Sequence, residues 1–171
     1  MAARWRGGSH AVEDVDLGYR DVVASIRDMN VGVVVGILQD VGGEVAEGGD
    51  LTLAGIAAVN EFGSKDGFTP ERSFLRSTMA ENEPRYSKEL VDAALSVITG
   101  SATVDVAFGL VGLGAENDVK DKIRDLRDPP NAPATLARKF PGDNPLIDTG
   151  RMRQAIASAV LSLSDAEEEG E

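Results

Sequence analysis

Apolar residues recur at three- and four-residue steps through the first part of the chain: Val12, Val15, Tyr19, Val22, Val23 and Ile26, extended by Met29. That spacing predicts an amphipathic helix over about residues 14–29. Asp14 and Asp16 sit at its start, where the helix dipole favours negative charge. The period then changes. Residues 31–38 are almost continuously apolar and rich in valine, interrupted by Gly32 and Gly36. This predicts a strand covered on both faces. The two glycines are four apart, so they share a face and leave room for close approach by a helix. Residues 39–50 are acidic and glycine-rich and read as an exposed loop or hairpin tip. Asp40, Glu44, Glu47 and Asp50 do not follow a calcium-loop spacing, which favours a solvated loop over a metal site.

Helical periodicity returns after Thr52, a good N-cap residue. Leu53, Ile56, Ala57 and Asn60 share one side of a helix over 53–61, Phe62 packs beyond it, and Gly63 ends it. Residues 64–68 are a turn-rich loop. Thr69 followed by Pro70 reads as a helix start with proline in the first helical position. On that reading Arg72 and Arg76, four apart, lie on one helical face, and Phe74 and Leu75 anchor the segment. Asn82, Glu83 and Pro84 then open a long helical region whose buried stripe is Tyr86, Leu90, Ala94, Leu95 and Ile98. Gly100 and Ser101 interrupt it. Val104, Phe108, Val111, Ala115, Val119 and Ile123 carry the pattern on to about Leu126. Gly109, Gly112 and Gly114 each cost about 1 kcal/mol in a helix relative to alanine. They predict tight packing against a neighbour such as the 31–38 strand. Their order differs from a phosphate loop, and no Lys-Ser or Lys-Thr follows.

Residues 129–156 differ from everything before them. A proline-rich lead-in containing Arg138 and Lys139 runs into Pro145, Leu146, Ile147, Asp148, Thr149, Gly150, Arg151, Met152 and Arg153. Leu146 and Ile147 are an apolar anchor, and Asp148 and Thr149 are N-cap candidates. Gly150 permits an unusual backbone angle between extended and helical geometry. A short helix follows over 151–156, with Met152 and Ile156 on one face, and a last strand over 158–163. The segment 129–156 carries four bases and two acids, a net of +2 against −12 for the whole chain, which leaves −14 on the rest. One reading is a solvated loop that carries arginines. The sharper one is a docking loop that pairs with an acidic surface on a neighbouring subunit.

Composition narrows the function classes. The chain has 171 residues, enough for one domain with a real core, and its 42% hydrophobic and 27% charged content is ordinary for a globular protein. We expect a flexible arm over 1–10, a single domain over 11–164, and an acidic tail over 165–171. There is no cysteine, which removes disulfides, thiolate metal sites and cysteine nucleophiles and fits a cytosolic environment. The one histidine, His10, lies in the basic, glycine-containing N-terminus, where Trp5 is a candidate interface anchor. A net charge of −12 argues against tight nucleic-acid binding. It suits an acidic wall that repels a passing duplex. No apolar run approaches the roughly 20 residues of a membrane span, and no apolar signal core follows Arg4 and Arg6. No catalytic constellation, cofactor motif or metal-ligand pattern is evident, and the reading is not that of an enzyme.

Three blocks of the sequence carry a family resemblance. The first is residues 56–64, Ile-Ala-Ala-Val-Asn-Glu-Phe-Gly-Ser. The second is residues 69–76, Thr-Pro-Glu-Arg-Ser-Phe-Leu-Arg, with its end near Asn82. The third joins Pro130–Asn131–Ala132–Pro133 and Lys139 to Pro145, Leu146, Asp148, Thr149, Gly150, Arg151, Arg153 and Ile156. In this order they resemble the tail-completion or neck proteins of long-tailed bacteriophages, the virion-morphogenesis type that joins head to tail. The resemblance implies an α+β domain: a small, mostly antiparallel sheet covered by helices, with a long central helical region, extended loops and terminal arms. It implies a structural protein that forms a homo-oligomeric ring, hexameric, at the head–tail junction of the virion after assembly in the host cytoplasm. Its neighbours would be the tail terminator, a stopper or adaptor and the tail tube, with DNA passing nearby but not read by sequence, and no membrane. Interface residues would be Trp5, Arg72, Arg76, Arg138, Lys139, Asp148, Arg151 and Arg153. A tail terminator, a head-side adaptor or stopper, and a tail-assembly chaperone are the alternatives. The chain departs from the family pattern in its long acidic segment before Ile56 and in Phe140–Pro141–Gly142–Asp143–Asn144 before Pro145.

Overall fold

The computed structural model describes residues 30–38, 51–139 and 141–162, with the isolated positions 20, 23, 24, 42, 43 and 45. Trp5, most of the helix expected over 14–29, most of the acidic 39–50 segment and the 165–171 tail lie outside the described residues.

The fold is α+β. Two strands, β1 (Val31–Ile37) and β2 (Ile156–Ser162), pair antiparallel from Val31 opposite Ser162 to Ile37 opposite Ile156. Between them the chain runs through α1 (Leu53–Phe62), α2 (Leu75–Ile98), α3 (Val104–Asp125), α4 (Pro133–Lys139) and α5 (Arg151–Gln154). Alternation along the strands puts Val31, Val33, Val35 and Ile37 on one face with Ile156, Ser158 and Val160. Helix α3 packs across that face. A two-stranded ribbon is marginal alone, and α3 supplies the apolar partner it needs.

Close approach explains one of the three helical glycines. A Cβ at Gly112 would lie 3.1 Å from Val33 Cγ1 and 3.1 Å from Ser158 Cβ. Gly109 and Gly114 have nothing within 4 Å at the same position. The expected tight packing against a neighbour such as the strand is thus found at Gly112, while at Gly109 and Gly114 no described residue supplies it. Among the described residues, nothing lies within 4 Å of a Cβ position at Gly36 in β1 either. Among the described residues the helix that covers β1 is α3, on one face.

Two clusters form the core. Phe74, Val119, Ile123, Leu146, Met152 and Ile156 make the first, and Ala93, Val97, Ala107, Phe108 and Val111 the second. Helices α2 and α3 form a hairpin turned at Gly100, whose φ of 71° suits glycine, and α3 starts at Thr103, whose hydroxyl accepts from the Val106 N–H. Across the hairpin Tyr86 Oη donates to Asp118 at 2.7 Å, Arg85 pairs with the same carboxylate, and Lys122 Nζ reaches Glu81 at 2.6 Å.

Four sequence expectations are corrected here. Of the stripe expected along residues 86–98, Tyr86 is buried, but Leu95 is 53% exposed, and Ala93 and Val97 take the core positions instead. Pro84 does not open a helix; it lies inside α2, which runs unbroken from Leu75. Proline removes the hydrogen bond to the carbonyl four residues earlier, and packing of Tyr86, Ala93 and Val97 against α3 overrides that local preference. Pro70 does not start a helix either: residues 70–73 precede α2, so Arg72 and Arg76 do not share a helical face. Finally, the residue before α5 is Gly150 in the left-handed region (φ 82°), without a side-chain cap. Thr149 Oγ1 accepts only a long bond from the Arg151 N–H, 3.4 Å. Thr52 and Gly63 act as the sequence predicts: Thr52 Oγ1 accepts from the Gly55 N–H at 3.1 Å, and Gly63 ends α1 with φ 76°.

Candidate functional site: a basic groove

Residues 56–64 form most of α1 and its C-cap, and α1 presents Ile56, Val59 and Asn60 to a groove of about 830 Å³. The chain between α1 and α2 forms a second wall with Phe68, Thr69, Pro70 and Arg72. Pro130, Asn131 and Ala132 continue it, and Thr135, Arg138 and Lys139 from α4 with Pro145 and Asp148 close it. The first two blocks that carry the family resemblance are near neighbours in sequence and the third lies far beyond them, and residues of all three line this one groove.

Two hidden devices hold these walls in place. The first is Glu61, a charged residue only 4% exposed. Its Oε2 accepts from the N–H groups of Phe74 and Leu75 at 2.8 and 2.9 Å. Its Oε1 accepts from the Ser73 hydroxyl at 2.7 Å and from Arg76 N–H and Nε at 3.0 Å each. The first amides of α2 have no partners within their own helix. Glu61 satisfies them from another helix and places negative charge at the positive end of the dipole. Burial alone pushes this carboxyl up; the Leu75 N–H, the Ser73 hydroxyl and the N–H groups of Arg76 and Phe74 together pull it further down, and the net pKa is lowered. Arg76 also pairs with Glu71 at 2.6 Å and stacks 4.6 Å from the Phe62 ring centroid. The two arginines expected at an interface therefore differ in circumstance from a free surface pair.

Arg72 is the second device. It is 5% exposed. Its Nε donates to the Pro129 carbonyl at 2.8 Å and its Nη2 to the Pro130 carbonyl at 3.0 Å, while its backbone N–H donates to Asn60 at 2.7 Å. It bolts the proline-rich segment to the end of α1. No carboxylate among the described residues pairs with it, and burial lowers its pKa from the arginine value. A guanidinium stays charged regardless, so the wall holds an uncompensated positive charge.

The other basic residues are more open. Arg138 is exposed, with no ion pair among the described residues. Lys139 donates to the Asn144 carbonyl at 3.0 Å and lies 4.0 Å from Asp148, whose side chain is 82% exposed. Arg72, Arg138, Lys139 and Asp148 thus meet at one groove. Arg151 lines a smaller adjoining hollow with Asp148 and Leu53. Arg153 lines neither, and its Nε is buried with no hydrogen-bond partner among the described residues. Arg76 lies beside a separate hollow with Val35 and Met79.

Asn144 is a positioning residue beside the groove that the sequence analysis did not single out. Its Oδ1 accepts from the N–H groups of Leu146 and Ile147 at 2.8 and 3.0 Å. Its Nδ2 donates to the Ile123 and Arg124 carbonyls at 3.1 and 2.8 Å, capping the end of α3. An Asn-Pro step is a turn signal, but its contact with α3 has no local sequence signature. Among the described residues no group of three or more His, Cys, Asp or Glu could hold a metal ion, and no helix is long and apolar enough to cross a membrane.

No family model matches this chain, and no curated protein or solved structure matches it either.

Proposed function

We propose that this protein is a structural subunit of a tailed-phage neck, a tail-completion protein that forms a ring where tail meets head, and that its basic groove seats an acidic surface of a neighbouring subunit. The observation that carries this reading is the convergence of the three resembling blocks on one groove: Ile56 and Asn60 from the first, Thr69, Pro70 and Arg72 from the second, Pro130, Asn131, Ala132, Lys139, Pro145 and Asp148 from the third. The electrostatics support it. Three cations border the groove in a chain of net charge −12, so a second copy offers mostly acidic surface to it. Ring closure requires two unlike faces to meet, and a basic groove against an acidic remainder is such a pair. Charge pairing of this kind sets partner choice and encounter rate more than raw affinity.

The test is reversal of Arg138 and Lys139 to Glu. Arg138 is exposed with no ion pair among the described residues, so Arg138→Glu alone should keep the monomer's thermal midpoint and report on binding, whereas the Lys139 side chain is only 14% exposed and holds the Asn144 carbonyl, so the double variant should also lose stability. Binding to tail tubes prepared from particles that lack the protein should be lost and return with the opposite reversal on the partner surface. Wild-type binding by the double variant would sink the charge-pairing mechanism. Absence of the chain from purified particles would sink the neck role and favour a departing chaperone.

A further inference from the structure

The hairpin of α2 and α3 carries two apolar ridges that its own fold does not use. On α3, Val106, Leu110 and Leu113 are 56%, 65% and 50% exposed; on α2, Val91 and Leu95 are 58% and 53% exposed. Steps of three and four place each set on one helix face, turned away from the buried stripes through Ala107 and Val111 and through Ala93 and Val97. Gly109 and Gly114 border the α3 ridge and have nothing within 4 Å of a Cβ position. Each weakens the helix by about 1 kcal/mol, and unlike Gly112 neither is required by packing against a described neighbour. Beside Val106, Leu110 and Gly114 a hollow of about 460 Å³ opens between the helices, lined by Ala93, Ser96, Ala102 and Ala107, with Arg85, Glu89 and Asp92 at its side.

These features are complementary. The α2 ridge is a row of knobs without glycine, and the α3 side is a small-residue hollow beside a glycine-notched ridge. Lys88, three and seven residues before Val91 and Leu95, shares their face and pairs with Asp92 of its own helix at 2.5 Å; the hollow it would approach carries two carboxylates, Glu89 and Asp92, against one cation, Arg85, which already pairs with Glu89 at 3.1 Å. We propose that the Val91–Leu95 ridge of one copy seats in the α2–α3 hollow beside Leu110 and Gly114 of a second copy. This contact is heterologous, so it propagates and closes into a ring if the rotation permits. It covers both ridges, whereas a symmetric α3–α3 contact leaves the α2 ridge exposed. Contiguous apolar surface of this kind marks contact sites. The proposal deepens the ring reading above and rests on it for closure, but its test needs no phage component.

The absence of cysteine makes the test direct. Leu95→Cys and Leu110→Cys are prepared separately in the full chain and treated with a short bis-maleimide, alone and mixed. The expected result is a cross-linked dimer in the mixture and none from either variant alone, with a ladder of multimers from the double variant. Gly109→Ala with Gly114→Ala should raise the monomer's thermal midpoint yet lower the cross-linked yield about tenfold, since a contact weakened by about 1.4 kcal/mol costs that factor. Efficient cross-linking of Leu110→Cys alone would mean a symmetric contact and overturn the proposal. So would a mixture that never cross-links at the highest soluble concentration. Protection of the thiol of the Leu110→Cys variant in the monomer, relieved by removing residues 1–29, would give the surface to the chain's own N-terminal segment and also overturn it. Tail tubes bound by a chain without the 95–110 cross-link would sink this contact alone. A cross-linked ring indifferent to tubes would leave the contact standing and sink the neck reading.

Discussion

Replacing Glu61 with Gln should damage the fold far more than its place on a short helix suggests. Gln keeps the shape but offers one acceptor oxygen where the carboxylate offers two. Oε2 serves two donors and Oε1 serves three. Either orientation therefore turns an NH₂ group toward at least two donors. Hydrogen bonds to a charged partner contribute about 1.5–3 kcal/mol each, at least two of them are lost, and the ion pair with Arg76, whose side chain is 53% exposed, adds only a screened contribution of about 0–1 kcal/mol. Because these terms overlap, the expected loss is about 3–5 kcal/mol, or roughly 10 °C in thermal midpoint for a chain of this size. Thermal and urea unfolding followed by circular dichroism would measure it. The pH dependence gives a second check. The folded-state pKa of Glu61 lies below its ordinary value of 4.5. Its stabilisation is then complete above the unfolded-state pKa and is lost as pH falls through the folded-state value. The Gln variant should lack that component and show a shallower stability loss on acidification below about pH 5. A variant within about 1 kcal/mol of wild type with an unchanged acid limb would refute the trans-capping account.

Other outcomes follow from the same contacts. Arg72→Lys should destabilise by about 2 kcal/mol, because an ammonium cannot reproduce the two-pronged contact with the Pro129 and Pro130 carbonyls; limited proteolysis should then cut near residues 129–131. Asn144→Ala should cost about 2 kcal/mol through loss of the α3 cap and the turn to Leu146, and rescue by Asp should be partial because the donor half is missing. Gly112→Val should separate α3 from the sheet and lower the thermal midpoint, whereas Gly109→Ala and Gly114→Ala should each raise stability by about 0.5–1 kcal/mol. Equal effects at all three glycines would contradict the packing described.

Local signals were read well where a single element decides them. Thr52 and Gly63 bound α1 because cap chemistry is local, and the valine-rich run is a strand because β-branching and period need no distant partner. The α+β class followed from those elements and the family resemblance. Misreadings occurred where a distant group supplies what the local sequence lacks. Pro70 looks like a helix start, yet α2 begins at Leu75 because Glu61, on another helix, binds the amides there. Pro84 looks like a boundary, yet contact with α3 carries the helix through it. At the groove, sequence reasoning named Arg72, Arg138, Lys139 and Asp148 but had no means of seeing that α1 is the opposite wall. The bonds of buried Glu61 reach residues 12 to 15 positions away, and the cap that Asn144 places on α3 reaches residues 20 and 21 positions away, so neither leaves a periodic trace.

The central claim, a subunit that assembles into a ring at the tail end, is tested most directly by light-scattering mass of the purified chain, alone and mixed with tail tubes from particles lacking it. The account predicts a discrete closed oligomer on the tubes that charge reversal at Arg138 and Lys139 abolishes. A chain that stays monomeric with tubes present, while wild-type particles contain none of it, would contradict the account.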